Sequence, residues 1–249
     1  MGISKCPWTR WLRLTRSPKL RSSVYPFPVA RVVYNGSFFK ADQNGARGLL
    51  VNNRLVELNI SGDGTPPVND VRVRHGMPEL RATVGVGPAI KFHLIPDDDR
   101  GIKLDFYLPV RKALTLSLSP ENVGWEIEPQ LDLRLRNVFH LPGWTLDVAA
   151  GPMFADRRYL DYFYSVAPEY STANRPAYSA PGGYSGTQFE LGLTKRFSRL
   201  RVSAGTHHDE LRGASLLDSP LVERSYDWSA SVSFSWVLGK SSQLAEVPN

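Results

Sequence analysis

The sequence predicts an all-β protein: a single antiparallel transmembrane β-barrel of about ten strands, and up to twelve, with short periplasmic turns and long extracellular loops. Three observations predict it. Apolar and polar residues alternate with a period of two along several segments, which is the side-chain periodicity of a β-strand. The charged residues of these segments fall on one shared face, and the links between segments alternate between short and long.

The clearest alternation lies near the C-terminus. From Trp228 to Trp236 every second residue is apolar and the residues between them are serines. The length fits the roughly 9 to 11 residues with which a tilted strand crosses a bilayer, and aromatic ends are typical of interfacial girdles. A soluble sandwich or lipocalin-like barrel would instead bury the apolar face and expose the serines. We predict that these residues face lipid or form the aromatic girdle: Trp228, Val232, Phe234, Trp236, Trp125 and Trp144.

Three earlier segments, 82–94, 102–111 and 125–136, repeat this pattern. Their apolar residues lie on one face, and the opposite face collects charge. This density of mixed charge is too high for the packed interior of a small soluble barrel, whereas a wet lumen accepts it as ion pairs. The residues predicted to face the lumen include Lys91, His93, Lys103, Asp105, Arg111, Glu126, Glu128, Asp132 and Arg134.

The other predicted strands are 24–34, 37–51, 54–61, 143–160, 187–197 and 200–210. Short links near 52–53, 96–100, 138–142 and 198–199 then fall at one end of the sheet, and the long links 62–78, 161–186 and 211–225 at the other. Outer-membrane barrels have this asymmetry. Pro88, Pro109 and Pro129 interrupt the strand patterns and predict bulges or strand ends.

Composition narrows the class of protein. Of 249 residues, 42% are hydrophobic and 22% charged, which indicates a folded chain. No apolar run approaches the roughly 18 residues of a membrane helix. The net charge of +6 is dispersed among apolar residues and acids, so we expect no nucleic-acid partner. The single cysteine, Cys6, excludes an internal disulfide and a multi-cysteine metal site.

The N-terminal segment is atypical for an exported barrel. Residues 1–23 are basic but contain no apolar core of about 7 to 15 residues, so they do not read as a secretory signal. We expect that the start is mis-assigned or truncated, or that this segment is disordered. The barrel is expected to occupy residues 24–239, followed by a polar tail at 240–249.

Candidate chemistry is sparse. The densest titratable cluster is His207, His208, Asp209 and Glu210, but adjacent histidines on a strand point to opposite faces and cannot both bind one metal ion without a bend. An omptin-like hydrolase would need Asp156 and Asp161 to converge with His207 and Asp209 at the barrel mouth.

Other motifs have simpler interpretations. The run Asp97, Asp98 and Asp99 is interpreted as a polar turn rather than a calcium loop, because consecutive side chains diverge. Gly85 and Gly87 lack the strand-to-helix context of a phosphate loop. The periodic serines fill a lumen rather than supply one activated nucleophile. We therefore predict a protein that is not an enzyme, with no catalytic, cofactor or metal site.

Five motifs resemble, in order, those of the MipA/OmpV family of outer-membrane proteins. They are LDFYLPVRKAL at 104–114, VGWEIEPQL at 123–131, GPMFADRRYLDYFY at 151–164, RPAYSAPGG at 175–183 and DSPLV at 218–222. The resemblance extends over about residues 24–239. It implies a barrel in the bacterial outer membrane, in contact with its lipid and without a cofactor.

The resemblance also implies a role and partners. The family's namesake links a lytic transglycosylase to a penicillin-binding protein, which implies a structural scaffold for murein assembly in the cell envelope. Other members are treated as porins or adhesins, so a narrow passive channel or an adhesin is an alternative. A barrel-mouth hydrolase of omptin type is the alternative from another class. No residue-level binding site follows from the resemblance.

Overall fold

The computed structural model describes residues 34–35, 39–42, 45–65, 67, 72–96 and 100–236. Within them, one antiparallel sheet contains twelve strand segments. The strands are β1 (Tyr34–Asn35), β2 (Phe39–Asp42), β3 (Gly45–Asn52), β4 (Val56–Thr65), β5 (Thr83–Ile95), β6 (Ile102–Thr115), β7 (Asn122–Ile127), β8 (Gln130–Arg136), β9 (Trp144–Ala155), β10 (Gly183–Arg196), β11 (Leu200–Glu210) and β12 (Tyr226–Trp236). The helix α1 (Arg157–Tyr164) and short 3-10 turns at Arg72–Arg74, Val138–His140 and Pro168–Tyr170 lie in the links.

The topology is a meander in which each strand pairs with its sequence neighbours. The exception is the pair β7 and β8, which lie in line with each other and share the neighbours β6 and β9. The predicted all-β, antiparallel fold is therefore confirmed. No helix in the described part of the chain has the length and apolar character needed to cross a membrane.

The links divide the sheet into two ends. Residues 53–55, 96, 100–101, 137–143 and 197–199 lie between strands at what we call the turn end. At the opposite, loop end lie the longer links 156–182 and 211–225, the described residues 67 and 72–82 of the link between β4 and β5, and the shorter link 116–121. The predicted alternation of short and long links is confirmed.

Two predicted strands near the N-terminus need correction. Segment 37–51 is not one strand, because β2 and β3 form a hairpin in which Asp42 pairs with Gly45. Strand β4 runs to Thr65, although 62–65 were assigned to a long link. Gly62 and Gly64 pair with β5 and leave the ladder intact, so these glycines do not end the strand. The predicted strand 24–34 lies outside the described residues except for Tyr34.

The predicted strand 143–160 is also wrong at its C-terminal end. Strand β9 stops at Ala155, and α1 begins after Asp156, whose carboxylate accepts a hydrogen bond from the Tyr159 backbone N–H at 2.8 Å. An aspartate at this position satisfies an orphan donor of the first helical turn. Leu160, Phe163 and Tyr164 then fall on one buried face, the spacing of a helix rather than of a strand.

The sheet buries its polar side chains and exposes its large apolar side chains, the reverse of the distribution in a water-soluble protein. The polar face is buried; it includes Glu57, Asn59, Lys91, Asp105, Arg111, Glu126, Glu128, Gln130, Arg134, Asp147, Gln188, His207 and Asp209. The exposed face is apolar; it includes Ile60, Val86, Phe92, Trp125, Ile127, Leu131, Phe189, Leu191, Trp228, Val232, Phe234 and Trp236. Links from distant strands meet at the loop end, so the sheet curls with its polar face inward.

Proline marks one level across neighbouring strands. Pro129 separates β7 from β8, as the sequence predicted, while Pro88 and Pro109 lie inside β5 and β6, whose ladder is interrupted between Val86 and Ala89. Pairing continues in the same register on both sides of these interruptions. Proline lacks the N–H that the ladder needs, and the strands adapt locally rather than shifting register.

Glycines accommodate the prolines on neighbouring strands. A Cβ on Gly87 would lie 2.0 Å from the Val110 carbonyl oxygen, and one on Gly151 would lie 2.0 Å from that of Pro129. Neither backbone position has room for a side chain. Gly62, by contrast, would place its Cβ 3.7 Å from the nearest atom, an ordinary contact.

We therefore expect Gly151→Ala to destabilise the folded protein by about 1–3 kcal/mol, the usual cost of overpacking. The measurement is urea unfolding in detergent micelles, followed by tryptophan fluorescence. Gly62→Ala is the matched control and should stay within about 0.5 kcal/mol of the wild type. Equal unfolding curves for the two variants would contradict the close approach of Gly151 to Pro129.

Candidate functional site

A buried charge cluster lies inside the sheet around Arg111. The Arg111 side chain, 6% exposed, projects inward from β6, and its Nη1 lies 3.1 Å from Asp63 Oδ2, 3.0 Å from Glu128 Oε2 and 3.7 Å from Glu126 Oε1. Its Nε donates to Ser61 Oγ at 3.2 Å. One guanidinium therefore serves three carboxylates, and we call this group the Arg111 cluster.

The members of the cluster occupy inward-facing positions on several strands. Asp63 comes from β4, Arg111 from β6, Glu126 from β7, and Glu128 from the break before β8. The sequence predicted that the last three face the lumen, and that prediction is confirmed. Asp63 was missed because it was assigned to a loop. The polar alternation of Glu57, Asn59 and Ser61 was the signal that β4 continues to it.

The cluster has the oxygen ligands of a cation site. One oxygen from each of Asp63, Glu126 and Glu128 lies within 4.8 Å of the others, and hard cations prefer such carboxylates. Arg111 Nη1 already supplies positive charge to all three. The arrangement therefore fits an internal ion-pair network that holds β4, β6 and β7 together.

Two further ion pairs lie below this level, toward the turn end. Arg134 Nε donates to Asp147 Oδ1 at 2.7 Å, which joins β8 to β9. Asp105 lies between His93 Nδ1 at 2.7 Å and Lys103 Nζ at 3.1 Å. The sequence predicted ion pairs on the inner face, and these contacts confirm it.

The two adjacent histidines point to opposite faces, as predicted. His207 is buried inside, with its Nδ1 3.4 Å from Glu190 and its Nε2 3.2 Å from Asp209. His208 lies outside, stacked on Trp228 with ring centroids 4.3 Å apart. A metal site that uses both rings is therefore incompatible with the structure.

The other acids of the hypothetical hydrolase site have local roles. Asp156 caps α1, and Asp161 accepts a hydrogen bond from Ser165 Oγ in the turn that follows the helix. His207 is thus brought together with Asp209 and Glu190, while Asp156 and Asp161 serve the local structure of the 156–182 link.

A cluster of buried apolar residues lies at the loop end. It combines α1 with residues of the other long links and with strand ends, and we call it the loop plug. Its buried members are Leu80, Ala113, Val123, Ala155, Leu160, Phe163, Tyr164, Ala180, Leu211, Ala214 and Leu216. The sequence predicted long extracellular loops here, and their apolar packing is a feature that the sequence analysis did not predict.

Two arginines clamp the loop plug by donating to backbone carbonyls. Arg175 donates through Nη1 to Val73 at 3.0 Å and His75 at 2.9 Å, and through Nη2 to Tyr170 at 2.7 Å. Arg74 donates to the Phe163 carbonyl at 3.2 Å. Burial lowers the pKa of the Arg74 guanidinium, and the nearby charge of Arg175 lowers it further. The two side chains tie the 66–82 link to the 156–182 link.

The predicted girdle residues lie at both ends of the sheet. Trp125 and Trp228 lie toward the loop end, and Trp144 and Trp236 at the turn end. Trp228, Trp236, Val232 and Phe234 are between 54% and 66% exposed. Trp144 is half-buried beneath Lys195, whose Nζ lies 5.4 Å from its ring centroid. This is the arrangement of two aromatic belts, and their contact with lipid stays a prediction.

The sequence model of the family described as MltA-interacting protein MipA matches residues 14–238. The chain belongs to this MipA family. No curated protein and no solved structure matches the chain. Membership supports a MipA-like outer-membrane protein, in agreement with the resemblance seen in the sequence.

In this MipA-family protein, Arg175→Ala should loosen the loop plug, because several carbonyls lose a charged donor at once. We expect chymotrypsin, which cleaves after the aromatic residues of the 156–182 link, to cleave that link at least several-fold faster, measured by limited proteolysis of the folded protein in detergent. Arg158→Ala is the matched control, since Arg158 is exposed in the same link. Unchanged cleavage rates would show that Arg175 does not hold the links together.

Proposed function

We propose that this MipA-family protein spans the outer membrane as a closed β-barrel and acts as a structural scaffold for cell-envelope assembly, without catalysis. The inverted burial carries the proposal: the charged face is buried and the large apolar face is exposed. In water such a surface would be costly, at roughly 25 cal/mol per Å² of apolar area. Large exposed apolar surfaces of this kind mark contact with a membrane or a partner.

Strand length and girdle placement support the membrane assignment. Strands β5, β6, β9, β10, β11 and β12 are 11 to 14 residues long, enough to cross a bilayer at a tilt. A sheet placed in the membrane would have to be closed, because an open edge in hydrocarbon would leave backbone N–H and C=O groups unpaired.

The filled interior supports a scaffold over an open channel. The Arg111 cluster and the Arg134–Asp147 pair connect strands across the inner face of the sheet. Above them, the loop plug packs apolar side chains from three long links. Ion pairs and packed links make the protein rigid. A rigid structure suits a scaffold that positions other proteins.

The family description names an interaction with MltA. We extend that partner to this chain as a lytic transglycosylase of the MltA type, together with a penicillin-binding protein on the strength of the sequence resemblance. Short turns of bacterial barrels face the periplasm, where murein is assembled. The turn end is therefore the surface that such partners would reach.

Binding and conductance measurements test this proposal. Protein refolded into planar bilayers should show no steady channel openings, and in detergent it should bind a purified MltA-type transglycosylase. Steady single-channel steps without such binding would favour the passive channel instead. A peptidase activity that His207→Ala abolishes would favour the hydrolase, and either result would overturn the scaffold.

A further inference from the structure

We propose that the turn end carries a binding site for an anionic phospholipid, formed by the adjacent turns 137–143 and 197–199. The site consists of Phe139, Leu141, Phe197 and Arg199, which we call the turn-end patch. It rests on the proposed placement in the outer membrane, and it adds a ligand class: the phosphate headgroup and upper acyl chain of a phospholipid in the periplasmic leaflet.

The patch is apolar, exposed and fixed in place. Phe139 is 72% exposed, Leu141 47% and Phe197 50%. The two turns lie side by side, because the Arg196 backbone N–H donates to the Gly143 carbonyl at 2.9 Å and Lys195 Nζ donates to the Pro142 carbonyl at 2.9 Å. These bonds place the two turns that carry the three apolar side chains next to each other on one rim.

The backbone of the first turn is strained where it presents Phe139. Phe139 has φ 57° and His140 φ 58°, both in the left-handed region that side-chain-bearing residues rarely adopt. The Asn137 side chain holds the turn by accepting the Gly143 N–H at 3.1 Å. The strained backbone exposes the Phe139 ring instead of burying it, so the strain does not contribute to core packing. Backbone outliers of this kind cluster at sites of ligand contact.

The charge beside the patch selects an anion. From 133 to 146 and from 191 to 206 the ionisable residues are all basic: Arg134, Arg136, His140, Lys195, Arg196, Arg199 and Arg201. Arg134 is neutralised by Asp147 on the inner face, while Arg199 is exposed on the turn itself. The acidic residues Asp97 to Asp99 lie outside the described residues.

Apolar and cationic groups together specify an amphiphile rather than a free phosphate. Trp144 and Trp236 place the turn end at the level of an aromatic belt, where lipid headgroups lie. Basic side chains at this level attract anionic headgroups, at about fivefold in affinity for each Arg or Lys. Phe139 and Phe197 would contact the upper acyl chain.

The test is lipid binding by the full chain in nanodiscs and detergent. Native mass spectrometry should show that phosphatidylglycerol binds more tightly than phosphatidylcholine, with a preference that falls as salt rises. Phe139→Ser/Arg199→Gln should reduce the preference about fivefold or more. The matched control is Leu118→Ser/Arg212→Gln, since both residues are exposed at the loop end, and it should leave the preference unchanged.

The outcomes are distinguishable. If the chain does not insert into bilayers, the proposed function fails and this inference with it. If it inserts but binds both lipids equally, or if the control loses as much preference as the patch variant, only this inference fails. A patch variant that keeps its lipid preference but no longer binds an MltA-type transglycosylase would make the patch a protein-docking surface. Should the double variant not fold, Arg199→Gln alone decides, because its side chain is exposed.

Discussion

Arg111→Met should destabilise the folded protein by about 3–5 kcal/mol, the cost of removing one partner from a buried charge network. The substitution keeps much of the side-chain volume but leaves Asp63, Glu126 and Glu128 facing one another without the cation between them. Like charges at such distances, shielded from bulk water, repel strongly. The measurement is urea unfolding in phospholipid vesicles, followed by tryptophan fluorescence.

A matched control separates the cluster from charge alone. Arg212→Met removes an arginine whose side chain is 76% exposed beside Glu210, and exposed pairs contribute at most about 1 kcal/mol. Adding Glu128→Gln to Arg111→Met should restore part of the lost stability, since one of the repelling charges is removed. Equal losses for Arg111→Met and Arg212→Met would contradict the buried network.

Val232→Arg should cost about 2–4 kcal/mol in a bilayer, the range for a basic residue near the lipid-facing midplane of a barrel. Val232 lies near the centre of β12, on its apolar face, and is 66% exposed. In a water-soluble sheet the same substitution would place a charge in solvent and cost little. The measurement is the folded fraction in vesicles as a function of urea.

Ser233→Arg is the control for this position. Ser233 is the next residue, on the other face of β12, and it is exposed rather than packed, so an arginine has room there. A charge that faces a wet lumen should cost less than about 1 kcal/mol. If Ser233→Arg were the more damaging variant, the two faces of β12 would have been assigned the wrong way round.

The face to which each strand residue points could be predicted from the sequence, because it depends only on neighbouring positions in the same strand. The faces of β5, β6 and β12 follow from a period of two, and no information about distant residues is needed to place Lys91 or Asp105 inward. The same rule could have placed Asp63. Gly62 and Gly64 are residues typical of turns, so the segment 62–65 was predicted to belong to a long link. In the structure both glycines pair with β5, and the sequence of β4 alone does not show this pairing.

The packing of the loop plug could not be predicted from the sequence, for a different reason. Arg175 binds the carbonyl of Val73, 102 residues away in the sequence, and every residue type offers a carbonyl acceptor. No sequence pattern therefore predicts the hydrogen bond between Arg175 and Val73. The helix α1 did leave a signal, an Asp156 N-cap followed by apolar residues at helical spacing, but it directly follows a long strand pattern that hid it.

Site-directed spin labelling along β12 tests the orientation of the two faces most directly. Because Cys6 is the only cysteine, a Cys6→Ser background allows single cysteines to be placed at each position from 229 to 235 in bilayer-inserted protein. Labels at Ala230, Val232 and Phe234 should be accessible to oxygen dissolved in hydrocarbon, and those at Ser231 and Ser233 to a water-soluble nickel chelate. Preferential access of the chelate to the apolar positions would contradict the account.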